Sequence, residues 1–494
     1  MTHSLDGMAM LNWKLDLRLF GLILLFIAAL MGIPTIIAAV LGEHQALFGF
    51  GMAYFGIFVF CAIILLFTTK PESKSFYARD GFFVVSLTWI VATAFSAIPL
   101  AASRSLPNYS SAFFEIMSGF TTTGATTLSE IESLPRSILF WRSQTNWLGG
   151  MGIVLLFVAF LPALGVTGTM LVGAESVGPT KDKLTPKIKT NALLLWTIYI
   201  GFSILQTFFL LFGGLSLFDA ITITFSTMSA AGFSTMNNSI AGFNSAYVDI
   251  VVTIFMIISG VNFALYWRLI MGKAKSVFKD AELRTYLGIL GISILLSALV
   301  VTANSTYSSF WASLRYTAFQ NASIMTTTGF TTTNYENWPA FSQMILFFLF
   351  FIGGSAGSAA GGIKVVRVAT LFKLGRYQLK KRIHPKGIFQ IRLGQTTLTQ
   401  DLIASIATFI GVYIFTGLIG ALVLSFSGTD LLTALSSSFL CLGNIGVGFA
   451  HVGPRGNFGF YPSFYKWVCS FLMLVGRLEL FTVYVLFTKT FWKR

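Results

Sequence analysis

The sequence predicts an all-α polytopic membrane protein, with two N-terminal helices ahead of four pseudo-symmetric repeats of helix, re-entrant loop and helix. Three observations carry this. The 494 residues are 55% hydrophobic and 10% charged, whereas a soluble globular chain carries about 25% charge. Ten stretches are apolar and of spanning length. Four shorter segments between them share one glycine-centred motif.

A spanning helix needs about 20 mainly apolar residues. Such stretches fall at 19–41, 46–69, 81–102, 138–164, 192–212, 247–266, 287–303, 341–372, 402–424 and 467–487. Two are imperfect: 138–164 opens with the polar Arg142, Gln144 and Asn146, and 287–303 is short. An even number of spans puts both termini on one side. The basic residues agree, because 26 of the 33 Lys and Arg fall at the termini and in alternate loops on that side. The opposite loops hold little beyond Arg104, Arg136 and Arg455. By the positive-inside rule the basic side is cytoplasmic, so N- and C-termini are both expected there. The first apolar stretch is too long for the core of a cleavable signal.

The same composition bears on other functions. The net charge of +15 reads as topology and contact with the lipid bilayer, not as nucleic-acid binding. The densest basic run, 373–392, could also dock a cytoplasmic partner. The three cysteines imply no disulfide framework, and the four histidines are scattered, without metal-ligand spacing. An intramembrane enzyme would need a nucleophile with its base, a metal set or paired carboxylates; no such set is visible, so no catalytic residue and no enzymatic role are expected. There is neither a Gly-x-Gly-x-x-Gly fingerprint nor a P-loop, and no organic cofactor is expected on this chain.

The repeat is the most specific signal. Segments 111–127, 219–235, 316–332 and 431–449 are too short to cross, and each lies on the extracellular side between two spans. Aligned on their glycines they read Thr122-Thr123-Gly124-Ala125, Ala230-Ala231-Gly232-Phe233, Thr327-Thr328-Gly329-Phe330 and Asn444-Ile445-Gly446-Val447. The glycines are 108, 97 and 117 residues apart, a spacing that suits a two-helix module with a loop dipping between. Non-helical backbone at membrane depth must be buried in protein or line a watery cavity. Glycine lets such a backbone turn successive carbonyls to one side. Four loops around one axis then give rings of carbonyl oxygens that can replace the hydration shell of a bare monovalent cation. Close helix packing is the other use of membrane glycines, but it does not call for the same motif in the same slot four times. The fold expected is therefore four repeats around a central ion pathway.

These four loops resemble those of the single-chain potassium-transporter superfamily that includes Trk, Ktr and HKT proteins, over the chain from about Gly81 onward. The helix pair before Gly81 resembles the extra N-terminal pair of TrkH-type members. The resemblance implies repeats at 80–172, 190–272, 283–376 and 397–494 after an N-terminal region of 1–79. It implies that the sixteen aligned residues bind K+ as the transported ion. In HKT relatives a serine at the first filter glycine goes with sodium transport; here that position is Gly124, which implies potassium. The fourth segment, with Asn444, Ile445 and Val447, is the least regular. The resemblance further implies a homodimer on a cytoplasmic ring of nucleotide-binding regulatory subunits of TrkA type, in a cytoplasmic (inner) membrane.

Two features suggest a gate. The apolar stretch 341–372 is interrupted by Gly353, Gly354, Gly357, Gly361 and Gly362, each of which weakens a helix by roughly 1 kcal/mol relative to alanine. The resemblance implies that this broken helix forms a loop obstructing the pore below the filter. Lys364 closes the segment, as an anchor at the membrane interface or a snorkelling side chain. Arg477 interrupts the last span, and a charge at mid-helix costs about 2.5–3.5 kcal/mol, so it is expected to face the pore or a carboxylate. The resemblance places it at the pore constriction. Glu479, two residues on, points to another face. Glu115 in the first pore helix either braces the filter or concentrates cations at its mouth, and Asp249 reads as an ordinary polar helix end. A strictly coupled cation or proton symporter remains the alternative function, although a proton relay has few membrane carboxylates to draw on.

Overall fold

A computed structural model describes residues 13–68, 78–152, 188–387, 389–394 and 396–492. Among these, six helices are long and apolar enough to cross a membrane, and two further pairs bent at a short break pass the same test. The extra N-terminal pair is Trp13–Leu30, continued by Gly32–Val40, and His44–Phe67. The outer helices of the four repeats are Ala78–Ser96 with Ile98–Ala102, Ile188–Phe212, Ala281–Ala303 and Gln400–Ser425. Their apolar side chains face outward: Phe208, Phe212, Leu299 and Phe415 are all exposed, as helices bathed in lipid require. A two-residue antiparallel hairpin, Arg392–Leu393 with Thr396–Thr397, lies in the segment between repeats 3 and 4.

Four short pore helices sit inside this ring: Tyr109–Phe120, Leu217–Met228, Phe310–Met325 and Leu431–Gly443. Each starts on the same local chemistry. Asn108, Ser216, Ser309 and Asp430 accept the backbone N–H of Ser111, Asp219, Ala312 and Thr433 at 2.9–3.2 Å. A side-chain oxygen at this position satisfies one of the orphan donors of a helix N-terminus. The third pore helix starts six residues earlier than the apolar pattern suggests.

The inner helices are Arg136–Gly150, Ala246–Ser259, Ala340–Leu349 and Ser463–Arg477. The first is the polar-rich one, and it is almost wholly buried. Its polar side chains reach out to its neighbours. Gln144 donates to Leu30 O, Trp141 to Ser96 O, Asn146 to Ser226 Oγ and Trp147 to Ser203 Oγ, all at 3.0–3.1 Å. Protein rather than lipid surrounds this helix, so low hydropathy costs it little. The rest of the expected 138–164 span lies outside the described residues.

One sequence expectation needs correction. The pattern marks the third inner helix alone as broken, whereas the structure breaks the second and fourth as well. Ala246–Ser259 turns by 92° into Phe263–Ile270, and Ser463–Arg477 turns by 111° into Phe481–Phe487. In the third, residues 350–364 separate Ala340–Leu349 from Val365–Ile383. The first inner helix stops at Gly150, just before the left-handed Gly152 (φ 80°). Contact explains these stops. A Cβ on Gly149 would lie 1.8 Å from Phe120 O, and one on Gly476 would lie 2.0 Å from Leu442 O. The first and fourth inner helices thus pass hard against the end of a pore helix, a fit that a side chain would prevent.

Candidate ion pathway

The four pore helices end in one motif. The residue two before each glycine is left-handed: Thr122 (φ 54°), Ala230 (56°), Thr327 (58°) and Asn444 (54°). Its N–H returns three residues back, to Gly119, Thr227, Ile324 and Cys441 O, at 3.0–3.3 Å. The next N–H returns five back: Thr123 to Ser118, Ala231 to Ser226, Thr328 to Ser323 and Ile445 to Leu440, at 2.8–3.0 Å. This is the Schellman arrangement that closes helix C-termini, where glycine normally holds the left-handed position. A non-glycine residue there costs about 1–2 kcal/mol, least for asparagine. The sequence already placed these four residues in the motif, but it gave no sign of their left-handed backbone, because none is glycine.

The glycines follow at φ 76°, 86°, 82° and 89°. Alternating φ signs let successive carbonyls turn toward one side. A Cβ added to Gly124 would fall 1.5 Å from Ala231 O, to Gly232 2.0 Å from Thr328 O, to Gly329 2.3 Å from Ile445 O and to Gly446 2.3 Å from Thr123 O. Segment 1 therefore abuts 2, 2 abuts 3, 3 abuts 4 and 4 abuts 1: the ring closes. The fourth segment, irregular in sequence, has the same backbone as the others. Asn444 Nδ2 donates to Thr123 Oγ1 and Met473 O, both at 3.0 Å, tying segment 4 to segment 1. The residues after the glycines, Ala125, Phe233, Phe330 and Val447, are buried against the scaffold.

Glu115 braces the first segment. Its carboxylate accepts Thr126 Oγ1 at 2.8 Å and Thr127 N at 3.0 Å, and pairs with Arg142 at 2.6 Å; both side chains are buried. The Arg142 guanidinium lies 4.2 Å over the ring of Phe233 from segment 2. Gln320 in the third pore helix braces the third segment by donating from Nε2 to Thr332 Oγ1 at 3.2 Å. Asp249 faces Arg315 at 3.6 Å.

Below the ring, residues 350–364 fold into a compact loop against the break in repeat 2. Ser355 N donates to Gly260 O at 2.9 Å, Ala359 N to Ser259 O at 3.2 Å, and Phe263 N to Gly357 O at 3.1 Å. Gly353 packs against Gly361 O and Gly354 against Ala360 and Gly260 O, leaving no room for side chains. Gly357 and Gly362 are left-handed (φ 74° and 65°). Gly361 N reaches Thr327 Oγ1 at 2.6 Å, and Gly361 also lies against Gly443 O.

Lys364 is not at an interface. It is fully buried, and its ammonium donates to Ala360 O, because the chain turns back into protein just before the helix Val365–Ile383. Arg477 meets backbone carbonyls. It donates to Ala359 O in the loop at 3.0 Å, and to Gly149 O and Gly150 O in repeat 1 at 2.5 and 2.9 Å. Glu479 pairs instead with Arg367 at 2.6 Å. Arg367 also stacks 3.8 Å over Phe409. The helices begin earlier than their apolar runs, so they also carry the buried Asp16 and Asp80 and the first-turn Glu282. All three lie just ahead of the apolar runs that begin at 19, 81 and 287.

A family model for a cation transport protein, TrkH, matches residues 50–493. The chain belongs to the TrkH family. Relatives agree along nearly the whole length. The Trk system potassium uptake protein TrkH of Escherichia coli K12 is 37% identical, over 98% of this chain and 100% of its own. The Trk system potassium uptake protein TrkI of Halomonas elongata is 33% identical, over 98% of each. The crystal structure of the potassium transporter TrkH from Vibrio parahaemolyticus superposes with a TM-score of 0.87 and 33% identity, covering 97% of this chain and 100% of that one. The TrkH fold thus accounts for the extra N-terminal pair as well as the four repeats.

Proposed function

We propose that this chain takes up potassium across the cytoplasmic membrane through a gated pore, as the ion-translocating subunit of a Trk-type system. The observation that carries the reading is the closed ring in which Gly124, Gly232, Gly329 and Gly446 each abut a carbonyl of the next segment. Such a ring can stand in for the hydration shell of a bare cation. Four pore helices bring their C-terminal ends, and so partial negative charge, to the same place. The sixteen residues 122–125, 230–233, 327–330 and 444–447 form the filter. The relatives' names support potassium as the ion.

The gate is the loop bearing Gly353, Gly354, Gly357, Gly361 and Gly362, with Lys364 and Arg477. Two buried cationic side chains beneath a cation filter raise the barrier to permeation, and the loop's contacts with three repeats hold it across the path. The repeats span 80–172, 190–272, 283–376 and 397–494. Both termini are cytoplasmic. The chain works as a homodimer on a cytoplasmic nucleotide-binding ring of TrkA type.

The test is cation flux into liposomes holding the purified chain, with voltage clamped by a proton ionophore. Passive flux that favours potassium and rubidium over sodium, with no second ion gradient, supports the pore. Flux that demands a sodium or proton gradient would establish a coupled symporter instead.

A further inference from the structure

We propose that Glu282 is the latch that holds the glycine loop shut, a positioning residue for the gate; the proposal rests on the gate reading above. Glu282 sits in the first turn of the outer helix Ala281–Ala303, whose N-terminus Asp280 caps at Leu283 N, 2.9 Å away. Glu282 Oε1 accepts the Ala356 N–H at 2.7 Å. The Val366 N–H, in the first turn of the helix that leaves the loop, faces the same carboxylate. One side chain thus binds the early part of the loop and faces the start of the helix after it. A carboxylate is well matched to a helix N-terminus.

The division of labour around the loop gives this contact its weight. Thr327 and Arg477 hold the later half, at Gly361 N and Ala359 O. The early half bonds to the repeat 2 break through Ser355 N. Glu282 is the charged side chain that grips this early half, and it does so from the outer helix of the loop's own repeat. A segment so rich in glycine has little conformational preference of its own, so its position depends on the groups that bind its backbone. The charges around the carboxylate are Asp280 on its own helix and Lys364 across the loop; they are of opposite sign and partly offset. Ala356 is buried, so without Glu282 its N–H loses its acceptor where water is scarce. The closed loop is then the less favoured arrangement.

The experiment compares basal potassium flux in liposomes for wild type, Glu282→Ala, Glu282→Gln and Arg477→Ala, all checked for monodisperse protein. Glu282→Ala is expected to raise basal flux roughly tenfold, the effect of losing one charge-assisted hydrogen bond. Glu282→Gln keeps a neutral acceptor for Ala356 and is expected to raise basal flux by less than Glu282→Ala does. An Arg477→Ala rise without a Glu282→Ala rise would overturn the latch and leave the gate standing. No rise in either would overturn the gate reading and the latch with it. Equal rises in both Glu282 variants would overturn a latch that works through the hydrogen bond. If Glu282→Ala does not yield folded protein, Glu282→Gln is compared with wild type by the rate at which a cytoplasmic, membrane-impermeant thiol reagent labels Ser358→Cys. Labelling accelerated by Gln supports the latch, because losing the charge weakens the bond to Ala356 N, and labelling unchanged by Gln overturns it.

Discussion

The Gly361 N–H donates to the Thr327 hydroxyl at 2.6 Å, and Thr327 is the left-handed residue that ends the third pore helix. The loop and the glycine ring are therefore in direct contact, with no third residue between them. If the loop is the gate proposed above, opening it would break a bond to a residue of the glycine ring. Thr327→Val removes the hydroxyl at nearly constant shape and is expected to raise basal flux severalfold, whereas Thr327→Ser keeps the donor's partner and should not. Liposome flux reads the difference. Equal behaviour of the two variants would sever the link between loop and filter.

The glycine ring predicts where selectivity is fragile. A side chain at any of the four positions would drive into a neighbouring carbonyl, so Gly124→Ser is expected to lower potassium-over-sodium discrimination. Gly446→Ser is expected to do the same, despite the irregular sequence of its segment. Competition between potassium and sodium in flux assays measures this. Unchanged discrimination in Gly446→Ser would remove the fourth segment from the filter.

Glu115 and Arg142 are a buried pair, and breaking one leaves the other charged and uncompensated. That costs about 3–5 kcal/mol. Glu115→Gln and Arg142→Met are each expected to lower the thermal midpoint in detergent, and the double variant is expected to recover part of the loss. Additive losses in the double variant would argue against a direct pair.

Arg477 spreads three hydrogen bonds over carbonyls of two repeats, which a planar fork can do and a single ammonium cannot. Arg477→Lys is therefore expected to raise basal flux nearly as much as Arg477→Ala. If lysine keeps flux at the wild-type level, positive charge alone closes the path and the bridging is incidental.

Much of this was legible in the sequence, and the reasons for the remainder are physical. Four recurrent glycines announce the ring because nothing but glycine tolerates both the left-handed φ and the carbonyl beside it. Thr122, Ala230, Thr327 and Asn444 gave no such sign, since their strain is offset by hydrogen bonds that do not depend on side-chain type. The breaks after Ser259 and at Arg477 were hidden because single glycines such as Gly260 and Gly476 are common in membrane helices; the close passage of a pore helix end makes them matter. Lys364 reads as interfacial from its place beside an apolar run, and only the fold reveals that the chain has turned inward. Arg142 and Glu115 are 27 residues apart, a separation at which no helical periodicity can pair them.

The head-to-tail order of the ring has a thermodynamic consequence. Each glycine leans on its successor, so a disturbance at one segment is handed to one neighbour first and reaches the opposite segment only through two contacts. Substitutions at Gly124 and Gly232 share a contact and should be non-additive, while those at Gly124 and Gly329 share none and should come closer to adding. A ring built from one continuous chain can therefore be altered at a single quadrant, with the opposite quadrant the last to feel it, a freedom that four identical subunits do not have.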